Sequence, residues 1–264
     1  MICKYMNKLN VDFFEVNNEI ENKILAILTG DYFTSYLKSI KCYERCFTDF
    51  AHQVIKPSDV ALDIGANLGY HTITMGELVG NSGHVISFEP QRIIYQQLNC
   101  NIFLNGLGNV YTFPYALGEN KEEVYIQEPN YYNVGEWPNV TNIGNTSINV
   151  EKRGVPVHQT TLDLVNLNKL NFIKIDIQGS ELSCLKGGYT TISKFKPYIF
   201  MEIEEVQLKK FGLTTSDLIN YTKNLGYKLY QIYVDDRLTD DYLCIPVENT
   251  VFDLSKYTYK TVEV

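Results

Sequence analysis

The run Val60-Ala-Leu-Asp-Ile64, followed at once by Gly65-Ala-Asn-Leu-Gly69 and then Tyr70-His71-Thr72, constrains the fold more than any other feature of this chain. A short apolar run behind the breaker Pro57-Ser58-Asp59 predicts a strand buried on both faces. A glycine turn that opens straight into a helix makes that strand the start of a βαβ unit. The rest of the chain keeps the rhythm. Strand 84–89 leads through Pro90 into helix 91–104, then come strand 109–113 and a short run at 124–126. Strand 172–177, helix 180–186, strand 198–203, helix 214–225 and strands 228–234 and 242–245 complete it. Strands and helices alternating at these lengths predict a doubly wound, mostly parallel α/β sheet.

Ahead of the first strand, Ile20, Ile24, Ile27 and Leu28 recur at helical spacing, as do Phe47, Phe50, Ala51 and Val54. They predict an N-terminal helical extension over 1–56, with the α/β domain over 57–264. Within that domain, 128–146 is rich in Asn, Gly, Pro and Tyr and has no period, which predicts a substrate loop.

Composition narrows the partners. A formal net charge of −8 and the lack of a Lys/Arg run argue against nucleic acid and against an anionic membrane surface. The six cysteines are scattered without a C-x-x-C pair, which predicts reduced thiols. Cys42-x-x-x-Cys46 has Asp49 where a third iron–sulfur ligand would stand, so that reading fails. No stretch approaches the ~18 apolar residues of a membrane span, and Met1 to Glu15 lacks an apolar segment of signal length. The expectation is a cytoplasmic protein, in which the sequons Asn139-Val-Thr141 and Asn145-Thr-Ser147 have no consequence.

In such sheets the ligand lies outside the carboxyl ends of the strands, beside the first one. The turn here is not G-x-G-x-x-G: Asn67 stands near the place of the middle glycine, and Asp63 precedes the turn. An acid there repels a pyrophosphate and favours the ammonium and sulfonium of S-adenosyl-L-methionine. Glu89, 20 residues beyond Gly69, is placed to reach the hydroxyls of an adenosine ribose. Ala116 would offer its backbone to the adenine edge. The donor site so read comprises Asp63, Gly65, Ala66, Asn67, Gly69, Tyr70, Thr72, Glu89, Ala116 and Asp176.

Asp63-Ile-Gly-Ala-Asn-Leu-Gly-Tyr-His-Thr72, Phe88-Glu-Pro90, Ala116-Leu-Gly118, Thr161-Leu-Asp163, Ile173-Lys-Ile-Asp-Ile-Gln-Gly-Ser-Glu181 and Leu185-Lys-Gly187 together resemble the FkbM family of methyltransferases. The likeness runs from about Glu44 to Glu204. It implies the class I methyltransferase fold, with a seven-stranded sheet ending in an antiparallel hairpin, and S-adenosyl-L-methionine as cofactor. It also implies methylation of a hydroxyl oxygen, often on a sugar. One position departs: where the family usually has an acid two residues after the strand-end aspartate, this chain has Gln178.

A sugar hydroxyl is almost un-ionised at neutral pH, so transfer to it calls for a general base or a metal. Asp176, at the end of its strand, is the leading base; its alternative role is to hold the following turn. Glu202 lies inside an apolar strand and either faces the site or pairs with a buried cation. Glu181 stands in a first helical turn, where the helix dipole favours it without any catalytic task. Together Asp176, Glu181 and Glu202 form a candidate Mg²⁺ set. His158, between the long loop and the 172–177 strand, is a further candidate base or else a surface group. His71 either packs or meets the methionine tail. Tyr131, Tyr132 and Trp137 either stack on a sugar or anchor the loop. Two other functions share this sheet: an NAD(P)-dependent reductase, and a cofactor-binding subunit without turnover.

Overall fold

A computed structural model describes residues 9–40, 42–131, 142–248 and 252–264. The chain opens with strands β1 (Val11–Asn17) and β2 (Asn22–Leu28), then helices α1 (Tyr32–Ser39) and α2 (Arg45–Val54). The first glycine turn joins β3 (Val60–Ile64) to α3 (Tyr70–Val79), followed by β4 (His84–Phe88), α4 (Arg92–Leu104) and β5 (Val110–Phe113). Next come β6 (Ala116–Leu117), β7 (Glu122–Ile126), β8 (Val155–Thr160), β9 (Phe172–Ile175), α5 (Glu181–Gly187) and α6 (Tyr189–Phe195). The chain ends with β10 (Tyr198–Glu202), α7 (Glu205–Lys209), α8 (Thr215–Asn224), β11 (Tyr227–Val234), β12 (Arg237–Pro246) and β13 (Thr261–Glu263).

The main sheet has the order β13-β11-β12-β10-β9-β3-β4-β5. Strands β5, β4, β3, β9 and β10 are parallel, and β12 runs antiparallel between β10 and β11. This is the class I methyltransferase arrangement, with the chain switching direction between β3 and β9. The expected seven strands become eight because β13 pairs with β11 and covers the outer hydrogen-bonding groups of that edge strand. A second sheet, β6-β8-β7, stands beside the carboxyl ends.

The extension differs from the expected helices in its first half: β1 and β2 form an antiparallel hairpin, while α1 and α2 are helical. Lys23, Leu25 and Ile27 point inward with period two, and Asn18 closes the turn by accepting from the amides of Ile20 and Glu21. A lysine on the inner face hid this alternation. Lys23 is fully buried because its ammonium donates to Glu21 (2.6 Å), to the Tyr70 carbonyl (3.0 Å) and to Thr74 (2.5 Å). The hairpin is thereby tied to α3, the helix that follows the glycine turn.

Helix α2 sends Phe47 and Phe50 into the same core as Phe172 and Phe200 on the main sheet. The hairpin also docks on α4 through Asn101, whose amide accepts from the Ala26 N–H (2.6 Å) and donates to the Leu68 carbonyl (2.7 Å). Asn101→Ala leaves that buried N–H without an acceptor and is expected to cost about 1–3 kcal/mol. Chemical denaturation checks it: an unchanged midpoint would show that the docking carries no load. Among the described residues, no helix is long and apolar enough to cross a membrane, and the five cysteines described are free.

Candidate active site

The site is built where β3, β4, β9 and β10 end. Gly65 has φ +84°, and a Cβ there would overlap the Asp176 carbonyl oxygen, so only glycine lets β3 and β9 finish this close together. The Gly65 and Ala66 amides donate to the Phe88 carbonyl, both at 3.0 Å, which folds the turn back over β4. Asn67 (φ +48°) and Gly69 (φ +93°) are also left-handed and aim the chain into α3.

Two hollows flank this turn. The larger, about 630 Å³ including its open mouth, is lined by Gly65, Asn67, Glu89, Tyr115, Ala116, Asp176 and Gln178 among others. The smaller, about 300 Å³, is lined by Phe33, Tyr43, Tyr70, His71 and Lys174, and it shares Gly65, Asn67 and Asp176 with the larger. The two therefore meet at a waist formed by the glycine turn and Asp176.

Glu89 is buried in the wall of the larger hollow, its two oxygens accepting from the amides of Asn67 (3.0 Å) and Gln91 (2.8 Å). Burial pushes its pKa up to about 7, although the two amides pull against it. At the waist, the Asp176 carboxylate lies 3.3 Å from the Lys174 ammonium. Burial works against charge on Asp176, yet Lys174 outweighs it and the pKa stays below the usual carboxylate value. Burial likewise opposes charge on Lys174, but Asp176, Asp63 and Glu44 outweigh it and hold the ammonium. Glu202 goes the other way: the charge of Asp176, then burial, raise it far above the usual range.

His71 completes the smaller hollow. Its Nε2 meets Glu44 at 2.8 Å, its ring lies between Tyr43 and Phe47, and its buried Nδ1 has no partner among the described residues.

The expected site residues are distributed unevenly. Gly65, Asn67, Glu89, Ala116 and Asp176 line the larger hollow, and Ala66 and Tyr70 line the smaller. Gly69 starts α3 and packs on Leu98. Asp63 does not line either hollow. It is fully buried one step down the strand, in register with Lys174, and accepts from Thr72 at 2.5 Å. Its position and that of Thr72 are thus beneath the site rather than in it. His158 is exposed on β8 with its ring against Tyr115 and is not brought to Asp176, because the strand alternation turns Gln159 inward instead.

Glu181 is buried, and its Oε1 accepts from the amides of Ile177 (3.2 Å) and Gly179 (3.0 Å), so it serves its own turn. It does not join Asp176 and Glu202, and no set of three or more His, Cys, Asp or Glu side chains placed to hold a metal ion exists among the described residues. Tyr131 is a buried anchor that donates to Gln91 at 3.2 Å and packs near Ile93 and Ile143. Tyr132 and Trp137 lie outside the described residues.

Sequence reasoning passed over Lys174, Tyr43, Glu44 and Asp241. The signal for Lys174 was present, since a lysine in Phe172-Ile-Lys-Ile175 is a cation placed inside an apolar strand.

The Methyltransferase FkbM domain is matched over residues 63–229, from Asp63 within β3 to Leu229 within β11. The chain belongs to the FkbM methyltransferase family. No curated protein matches it. Among solved structures, it is similar to a methyltransferase FkbM from Methylobacillus flagellatus, with 20% identity, TM-score 0.48, and coverage of 75% of this chain and 50% of that one. It is also similar to a SAM-dependent O-methyltransferase from Thermotoga maritima, with 10% identity, TM-score 0.46, and coverage of 90% and 78%. A SAM-dependent methyltransferase from Aquifex aeolicus shows 15% identity, TM-score 0.44, and coverage of 80% and 97%. The chain spans half the length of the Methylobacillus structure. The FkbM match ends within β11, so the hairpin β1–β2 and the edge strand β13 are additions outside it.

Proposed function

We propose that this FkbM chain transfers a methyl group from S-adenosyl-L-methionine to a hydroxyl oxygen of a carbohydrate acceptor. The observation that carries the reading is the waist: two hollows of unequal size meet beside a carboxylate held ionised. The donor supplies an electrophilic methyl on a sulfonium. Glu89 would hold its ribose hydroxyls and the Ala116 backbone its adenine edge, in the larger hollow. Lys174 and the unpartnered His71 Nδ1 suit the carboxylate of the methionine tail in the smaller. The sulfonium then falls beside Asp176, where opposite charge favours it. A dinucleotide would put its pyrophosphate against the same Asp176, which disfavours the reductase reading.

Asp176 is the base in this reading, because it is charged and open to the cleft, with 26% of its side chain exposed. Lys174 and Gln178 orient it. Holding the acceptor in line with the donor supplies the rest, up to roughly 7–11 kcal/mol in well-aligned systems. The acceptor would enter by a groove of about 1370 Å³ that shares Thr146 and Ile148 with the larger hollow and is lined by Gln127, Asn130, Asn142, Asn145 and Asn149. Glu128, Glu151 and Lys210 also line it, while the amides, which both donate and accept, suit the hydroxyls of a polyol. The described parts of the 128–146 stretch lie along this groove, which fits a substrate loop.

Calorimetric titration with S-adenosylhomocysteine tests the donor site. Ribose hydroxyls donate to ionised Glu89, so binding lowers the Glu89 pKa and releases a proton wherever the free protein holds one. Affinity is expected to rise with pH up to about 7 and then level off, approaching tenfold per pH unit. The sign is opposite for stability. A carboxyl whose folded pKa is raised favours the fold fully below about 4.5 and loses that advantage as pH climbs to about 7. Glu89→Gln should therefore abolish the pH dependence of binding while stabilising the free protein at pH 8 by about 2–3 kcal/mol. Affinity independent of pH in the unsubstituted protein would remove Glu89 from the site. Isotope-labelled donor offered with pooled glycans tests the acceptor, and label found only on nitrogen would overturn the hydroxyl. Donor binding with no label transferred to any glycan would favour a subunit without turnover.

A further inference from the structure

Gln178 holds a costly backbone conformation, φ +55°, in a chain where glycine follows it. Its side chain explains the cost. The single amide nitrogen donates both to Asp176 Oδ1 at 2.8 Å and to Glu202 Oε2 at 2.9 Å. Sharing one donor nitrogen places the two carboxyl groups within a few ångströms of each other, and the charge of Asp176 is the first cause that raises Glu202. Two acids this close cannot both ionise cheaply, so they hold a proton between them.

The surroundings decide where the charge stays. From β9, the Lys174 ammonium touches Asp176 at 3.3 Å. From β12, Asp241 stands opposite Glu202 in register, and burial, with Glu44 and Asp176, pushes its pKa well up. Glu44, at the start of α2, is turned to His71 of α3. Asp63 of β3 lies in register with Lys174 and is held by Thr72. Tyr43 and Cys46 are neutral, their ionisation suppressed first by burial and then by neighbouring acids. Among the described residues, the cation in contact with the pair thus sits on Asp176, while Glu202 faces other acids.

We propose that Gln178 is a positioning residue that locks Asp176 and Glu202 into a pair carrying one proton, with the charge on Asp176, and thereby dedicates the pair to proton transfer and closes it to divalent cations. The inference rests on the reading of Asp176 as the base. Its amide N–H occupies one oxygen of each carboxyl group, and these are the hard oxygen ligands a cation would need. An acid at 178 would reverse both effects, adding a ligand and removing the donor.

The test compares the unsubstituted chain with Gln178→Glu and with Gln178→Met, which keeps the length and removes the donor. Mn²⁺ binding is read by electron paramagnetic resonance. Affinities for S-adenosylmethionine and S-adenosylhomocysteine are read between about pH 5 and pH 9. Q178E is expected to bind Mn²⁺ at least ~100-fold more tightly than the unsubstituted chain. The ratio of the two adenosyl affinities should stay flat with pH in the unsubstituted chain and become pH-dependent in Q178M, where the charge is shared between two acids. Mn²⁺ bound equally by the unsubstituted chain and Q178E, or a flat ratio in Q178M, overturns the proposal. Failure of the unsubstituted chain to bind either adenosyl ligand would instead sink the donor reading, and the Mn²⁺ comparison would still decide the role of Gln178.

Discussion

Gly65→Ala is expected to abolish donor binding and to lower the thermal midpoint by roughly 10–15 °C. Two penalties combine. A non-glycine residue at φ +84° is strained by about 1–3 kcal/mol. The added Cβ also overlaps the Asp176 carbonyl, a backbone atom that no rotamer change can move aside. The ends of β3 and β9 must then part, and the Asp176 amide loses its bond to the Ile64 carbonyl, 3.0 Å in the intact chain. A total near 4 kcal/mol at about 2–4 °C per kcal/mol gives the stated shift for a chain of this size. Donor binding falls further than stability, because both hollows share Gly65 and parting the strands opens the waist. Calorimetry for the midpoint and titration with S-adenosylhomocysteine for the site check it together. A variant that melts normally and binds normally would mean that the strand ends are not held at this separation.

The part of this architecture legible in the sequence is the part written in backbone terms. Val60–Ile64 into Gly65–Gly69 into α3 could be read because apolar runs, glycine and helix periodicity are local signals. The strand Phe172–Ile175 was legible for the same reason. What escaped was decided by side chains that break a pattern. Lys23 interrupts the alternation of β2, and Glu21 beside it, with Thr74 and the Tyr70 carbonyl brought from α3, makes it a buried residue. His158 and Gln159 are neighbours in sequence, yet the pleat turns one out and the other in, and a register error of one residue exchanges them.

The two strand-end acids show the same limit. Asp63 and Asp176 both stand near the ends of apolar runs, and the charge argument made Asp63 the acid that selects the donor, with Asp176 a further contact. Register separates them: Asp63 pairs inside the sheet with Lys174, whereas Asp176 follows β9 and reaches the opening. The acid that lines both hollows is Asp176, with Asp63 lying one step beneath in register with Lys174.

Asp176→Asn should accordingly be the substitution that separates charge from shape. Donor and spent donor differ by one methyl and one positive charge, so their affinities report the field at the waist. In the variant, affinity for S-adenosylmethionine is expected to fall about 10- to 100-fold, a Coulomb loss of roughly 1.4–3 kcal/mol for a partly solvated pair. Affinity for uncharged S-adenosylhomocysteine should change only a few-fold, since the amide keeps the volume and one oxygen for Gln178. Methyl transfer should fall by about 10²–10⁴ beyond the binding loss, because an amide cannot accept the acceptor's proton. The pH dependence has a definite sign. The pKa of Asp176 lies below the usual carboxylate value, so in the unsubstituted chain the preference for the sulfonium persists as pH falls through the ordinary Asp range and is lost only below it. Lys174 keeps Asp63 and Glu44 nearby after the substitution, so its charge remains compensated and the fold should survive for these measurements. Equal losses of affinity for the two ligands would show that Asp176 shapes the waist without charging it, and transfer at the unsubstituted rate would move the base elsewhere.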